Sequence, residues 1–146
     1  MKKYLITALV LSASLSSCFL YTHDPEKARD EATSFLNQVY KKNEIEKAYE
    51  RTGEIFKKNM DAKSLAELRE TLDSQYGKLE GLRAGFYVMD AGEKVIEIFY
   101  DGITVKKMSY HKVTLEGDGK SGYKVTGVTL SGVPHKYYRT QKNFKR

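Results

Sequence analysis

The feature that most constrains this chain is a change of hydrophobic period. From Ala28 to Leu72 the apolar residues recur three and four apart, and from Leu79 to Ser131 they alternate. A three-to-four spacing places side chains on one face of a helix, whereas alternation places them on one face of a strand. The chain is therefore a run of helices followed by a run of strands, which makes an α+β domain.

Asp24-Pro25-Glu26 reads as a helix start. Asp24 is placed to cap, Pro25 suits the first helical position, and Glu26 lies near the positive end of the dipole. Ala28, Ala32, Phe35, Leu36, Val39 and Tyr40 form the apolar stripe of that helix, which ends near Lys42. A second helix is expected from Ile45 to about Asn59, with Ala48, Tyr49, Thr52, Ile55 and Phe56 on one face. A third is expected from the capping-box pair Ser64 and Glu67, through Leu65, Leu68 and Leu72, to a terminal Gly77.

Four strands follow. The first is expected from Leu79 to Met89, with Leu82, Ala84, Phe86 and Val88 on one face and Arg83, Gly85, Tyr87 and Met89 on the other. Asp90-Ala91-Gly92 supplies a turn, and Glu93 to Tyr100 forms the second strand. Asp101-Gly102 is a two-residue hairpin signal. A long third strand is expected over Ile103–Glu116, bulged near Lys106-Lys107. Gly117 to Gly122 turns the chain into a fourth strand, Tyr123–Ser131, with a bulge at Gly127. The expectation is three helices packed on a curved four-stranded antiparallel meander that wraps the first helix, within a single domain over 24–134.

That order of elements resembles the nuclear-transport-factor-2-like, or cystatin-like, superfamily. The likeness rests on the Ala…Phe-Leu stripe and on the last hairpin: Val113-Thr114-Leu115, the turn Glu116 to Gly122, then Tyr123-Lys124-Val125-Thr126-Gly127. It covers about residues 24–131, and Tyr123 stands where many relatives carry tryptophan. The resemblance implies a cone between sheet and helices, which in such proteins is an active site, a ligand site or a filled core. The alternative is a two-layer fold of another topology.

Lys2 and Lys3 precede an apolar run from Tyr4 to Leu15, which ends in Leu15-Ser16-Ser17-Cys18. The run is shorter than the ~20 residues a spanning helix needs and has the length of a secretory signal's apolar region. Its end resembles the lipobox of bacterial lipoproteins. That resemblance implies cleavage between Ser17 and Cys18, diacylglycerol on the Cys18 thiol and an acyl chain on the new amino terminus. Residues 1–17 are then a signal peptide and 18–23 a lipidated tether, which spans at most about 20 Å. Phe19, where aspartate would retain a lipoprotein in the inner membrane, points to the outer membrane, facing the periplasm, in a Gram-negative cell. Cys18 is the sole cysteine, so no internal disulfide forms.

Charge is unevenly placed. The whole chain carries +6, and loss of residues 1–17 removes Lys2 and Lys3 to leave +4. Lys136, Arg139, Lys142, Lys145 and Arg146 give the tail, 135–146, +5, so the body is near −1. A nucleic-acid-binding domain would carry its basic patch on the folded body, so nucleic acid is not an expected partner. The tail reads as a flexible segment whose cations suit anionic headgroups or an acidic partner.

His111 is the best candidate for proton transfer, on a strand face shared with Ser109, Val113 and Leu115. Tyr87, Ile98, Tyr100, Ser109 and His111 form the expected pocket, with Glu97 the nearest acid. Gly119-Lys120-Ser121 lacks the earlier glycine of a phosphate loop and lies in a hairpin turn. His23, His111 and His135 are too scattered in sequence to suggest a metal site, and no cofactor is expected. The function expected is a lipid-anchored envelope protein whose domain binds a small apolar molecule or an envelope protein without catalysis. The alternative is a small enzyme using His111 in the cone. A cone filled by Phe86, Ile98, Val113 and Val125 favours protein docking; an open one with His111 at its floor favours the enzyme.

Overall fold

The computed structural model describes residues 21–89 and 93–144. Cys18, the segment before it, the turn at 90–92 and the last two residues, Lys145 and Arg146, lie outside the described residues. Among the described residues four helices precede five strands: α1 Pro25–Tyr40, α2 Ile45–Glu50, α3 Glu54–Asn59, α4 Ala62–Tyr76, β1 Leu79–Met89, β2 Val95–Thr104, β3 Ser109–Asp118, β4 Gly122–Ser131 and β5 Lys142–Asn143. The strands form one open antiparallel sheet in the order β4-β3-β2-β1-β5. The α+β class and the meander stand as the sequence implies.

Helix α1 follows its sequence closely. Asp24 Oδ1 accepts from the Lys27 amide at 3.1 Å, and Ala28, Ala32, Phe35, Leu36, Val39 and Tyr40 are all buried. The stripe lies against the inner face of the sheet, where Ile96, Ile98, Tyr100, Val113, Leu115, Tyr123 and Val125 complete the core.

Several expectations need correction. The second helix is two helices, broken at Thr52-Gly53. There the helical backbone bonds β4 instead: Gly53 N donates to Val125 O at 2.8 Å, and Val125 N donates to Arg51 O at 3.1 Å. β4 is an outer strand of the sheet, and this short parallel bridge gives part of its backbone a partner. Helix α4 is capped by Asp61, whose carboxylate accepts from Ser64 N at 2.7 Å, so Ser64 lies inside the helix. Gly77 closes it at φ 84°, as a terminal glycine should.

Asp101-Gly102 is not a turn. β2 runs through it to Thr104, and the hairpin turn is Val105-Lys106-Lys107-Met108. Gly102 is required for clearance: a side-chain carbon there would collide with Ser109 Oγ and come within 2.7 Å of His111 Nε2. The expected alternation of β1 holds only to Ala84. A bulge at Gly85 shifts the register, pairing Ala84 with Tyr100 but Phe86 with Phe99. Phe86 and Val88 thus move to the outer face, while Tyr87 turns inward. The bulge in β4 falls between Val125 and Gly127, so Thr126 is the extra residue. Finally, the tail through Phe144 is not a free segment. It crosses the outer face of the sheet and adds β5 to the edge of β1.

Candidate functional site

The cone interior is built by β2, β3 and α1. Ile98, Ser109 and His111 are fully buried and Tyr100 is 1 % exposed, so four of the five expected pocket residues do meet under α1. They meet in a packed core. The Tyr100 hydroxyl lies 2.9 Å from Thr33 Oγ1 and donates to Arg29 O at 3.0 Å, which ties β2 to α1. Tyr40 covers His111 with ring centroids 5.1 Å apart. Phe35, Val113 and Val125 fill the remaining space. Tyr87, the fifth residue, sits at the rim against the Phe144 ring, 5.0 Å away.

His111 lacks the surroundings of a general base. Nε2 lies 2.9 Å from Ser109 Oγ, and Nδ1 meets no partner among the described residues. Burial, with a smaller contribution from the charge of His135, lowers its pKa to about 4. A protonated ring would carry an N–H with no acceptor inside an apolar core, so the neutral form is held. The acid expected nearby is on the other face, where Glu97 accepts from Lys112 Nζ at 2.7 Å. The Gly119-Lys120-Ser121 turn is likewise committed. Asp118 Oδ1 accepts from Lys120 N at 2.8 Å and Ser121 N at 2.6 Å, taking the amides a phosphate would need.

An opening lies at the sheet rim. A groove of about 880 Å³ runs along β1 at Leu82–Gly85, bounded by Arg29 of α1 and by Asn143 and Phe144 of the tail. Arg29 lies over the Phe144 ring at 5.4 Å and pairs with Glu26 at 2.6 Å. Arg83 pairs with Asp101 at 2.6 Å and is otherwise exposed. Among the described residues β5 pairs only with Phe86 and Tyr87, so β1 offers backbone along the groove. The groove thus combines a strand edge, two guanidinium groups and an aromatic ring.

The tail supplies features its charge obscured. His135 packs against Phe99, Tyr110 and Phe86, and Tyr138 against Phe99 and Phe86. Phe99 is 1 % exposed although its side chain leaves the sheet on the outer face. Lys136, Arg139 and Lys142 point to solvent. The aromatic spacing of the tail was the signal available for this packing.

No family model matches the chain, and no curated protein or solved structure matches it. Among the described residues no group of three or more histidine, cysteine, aspartate or glutamate side chains could hold a metal. No helix among them is long and apolar enough to cross a membrane.

Proposed function

We propose that this chain is a lipid-anchored cell-envelope protein, held through an acylated Cys18, whose cone-shaped domain of the nuclear-transport-factor-2-like type is a non-catalytic binding module. The observation that carries the binding reading is the contrast between a filled cone and an open rim. His111 is fully buried with no carboxylate in contact among the described residues, while the β1 groove offers about 880 Å³. A buried base with no route for substrate contributes packing rather than proton transfer. The rim suits an extended segment of an envelope protein, added as a strand beside β1 with an acidic side chain reaching Arg29 or Arg83. It suits a small apolar ligand less well, because such ligands are mostly enclosed by apolar walls. In a Gram-negative cell the absence of aspartate after Cys18 favours the outer membrane, facing the periplasm.

Two measurements separate the parts of this reading. Intact mass of the protein from its own envelope should show the acyl groups, and Cys18→Ala should lose them; an unchanged mass in that variant contradicts the anchor. Native mass spectrometry of gently purified Cys18→Ser protein should give the bare protein mass. A reproducible small-molecule adduct would instead make the domain a carrier.

A further inference from the structure

Four large apolar side chains left exposed gather at one end of the sheet: Ile103, Val105, Met108 and Val133. They surround the β2–β3 turn. Ile103 lies over Gly81, Val105 lies beside Gly77, and Tyr76 connects Lys107 to Gly132, next to Val133. Val105 is 64 % exposed and Val133 69 %. The two residues at the centre of the turn are Lys106 and Lys107. Lys106 Nζ donates to Ser74 O at 2.9 Å, and Lys107 Nζ lies 4.5 Å from the centre of the Tyr76 ring. Neither cation meets a carboxylate among the described residues.

A protruding turn with apolar tips and unneutralised lysines matches the two layers of a bilayer surface. The apolar groups enter the acyl boundary and the ammonium groups remain among the phosphates. We propose that the Val105–Met108 turn is a docking tip for bilayers carrying anionic headgroups. The described chain begins at the opposite end of the sheet. There Gly119 N donates to Thr22 O at 2.9 Å, and His23 Nε2 lies 2.7 Å from Glu93 O. Strands of about ten residues separate the two ends by roughly 33 Å. The tip is thus remote from the end where the described chain begins, and its contact does not depend on acylation of Cys18. With an anchor at the other end, both contacts would lay the domain lengthwise on one membrane.

The chain contains no tryptophan, so Val105→Trp introduces a single reporter. The domain from residue 19 onward is the form to use, since all the described helices and strands and the core they form lie within it. Mixed with phosphatidylcholine vesicles containing phosphatidylglycerol at low salt, Val105→Trp emission should shift to the blue. Phosphatidylcholine alone should produce little shift. Adding Lys106→Gln and Lys107→Gln should weaken partitioning about 30-fold, from about 1 kcal/mol per cation. Ile55→Trp, on exposed α3, should not shift. Met108→Trp repeats the test should Val105→Trp fail to fold. No shift at either tip position, an equal shift at Ile55→Trp, or binding indifferent to the two lysines overturns the proposal. An absent shift would also redirect the tip to a protein partner.

Discussion

The two faces of the sheet are buried by different means. The inner face is covered by helices whose apolar stripes repeat regularly, and it includes Ile96, Ile98, Val113 and Leu115, all at full burial. The outer face is divided. Toward Glu97 and Glu116 it carries ion pairs with Lys112 and Lys94 that remain open to solvent on one side. Toward Phe86 and Phe99 it is covered by an irregular tail that contributes rings rather than a helix. A regular cover excludes solvent from the middle of the face; a strap excludes it only beneath a few rings. The proposed binding therefore falls at the rim and ends, not in the cone.

The sharpest break in this comparison comes from the inner face. Phe35→Ala removes a fully buried ring that meets Phe56 edge-on. It should cost about 3–5 kcal/mol, read as a lowered urea midpoint at unchanged slope. An effect below about 1 kcal/mol would mean that the inner face is loosely packed.

Acid comes next. His111 titrates near pH 6.5 when unfolded and at about 4 when folded. Above pH 6.5 both states are neutral and the group adds no pH dependence. As pH falls from 6.5 to 4 the unfolded state binds the proton first. The fold should therefore lose about 3 kcal/mol from this group across that window. His111→Leu should flatten that slope in unfolding measured at several pH values, whatever its own stability. A slope identical in the two proteins would place the titration elsewhere.

The helical stripe of α1, the alternation of β2 and β3 and the terminal Gly77 were legible because each reflects a local rule. The breaks were not. Thr52-Gly53 reads as helix until β4 brings Val125 beside it, and Asp101-Gly102 reads as a turn until Ser109 and His111 demand space across the pair. A one-residue bulge at Gly85 reverses a face without altering local composition. At the site, the strand face of His111 was legible, but its enclosure by Tyr40 was not, since nothing local encodes what covers a strand. In the tail, five cations concealed His135, Tyr138 and Phe144.

The outer strap should give a smaller effect than the core. Tyr138→Ala removes a ring 5.2 Å from Phe99. It should cost about 1–2 kcal/mol, aromatic contact plus partial burial. A loss matching that of Phe35→Ala would make the strap an equal part of the core. The half-buried pair Glu97–Lys112 should matter least: Glu97→Gln, which leaves Lys112 an acceptor, should change stability by under about 1 kcal/mol.

The three histidines together test whether the cone is closed. Diethyl pyrocarbonate on the folded protein, followed by peptide mapping, should modify the partly exposed His23 and His135 and leave fully buried His111 untouched until denaturant is added. Modification of His111 at the rate of His23 in the native state would show an open cone and contradict the assignment of binding to the rim.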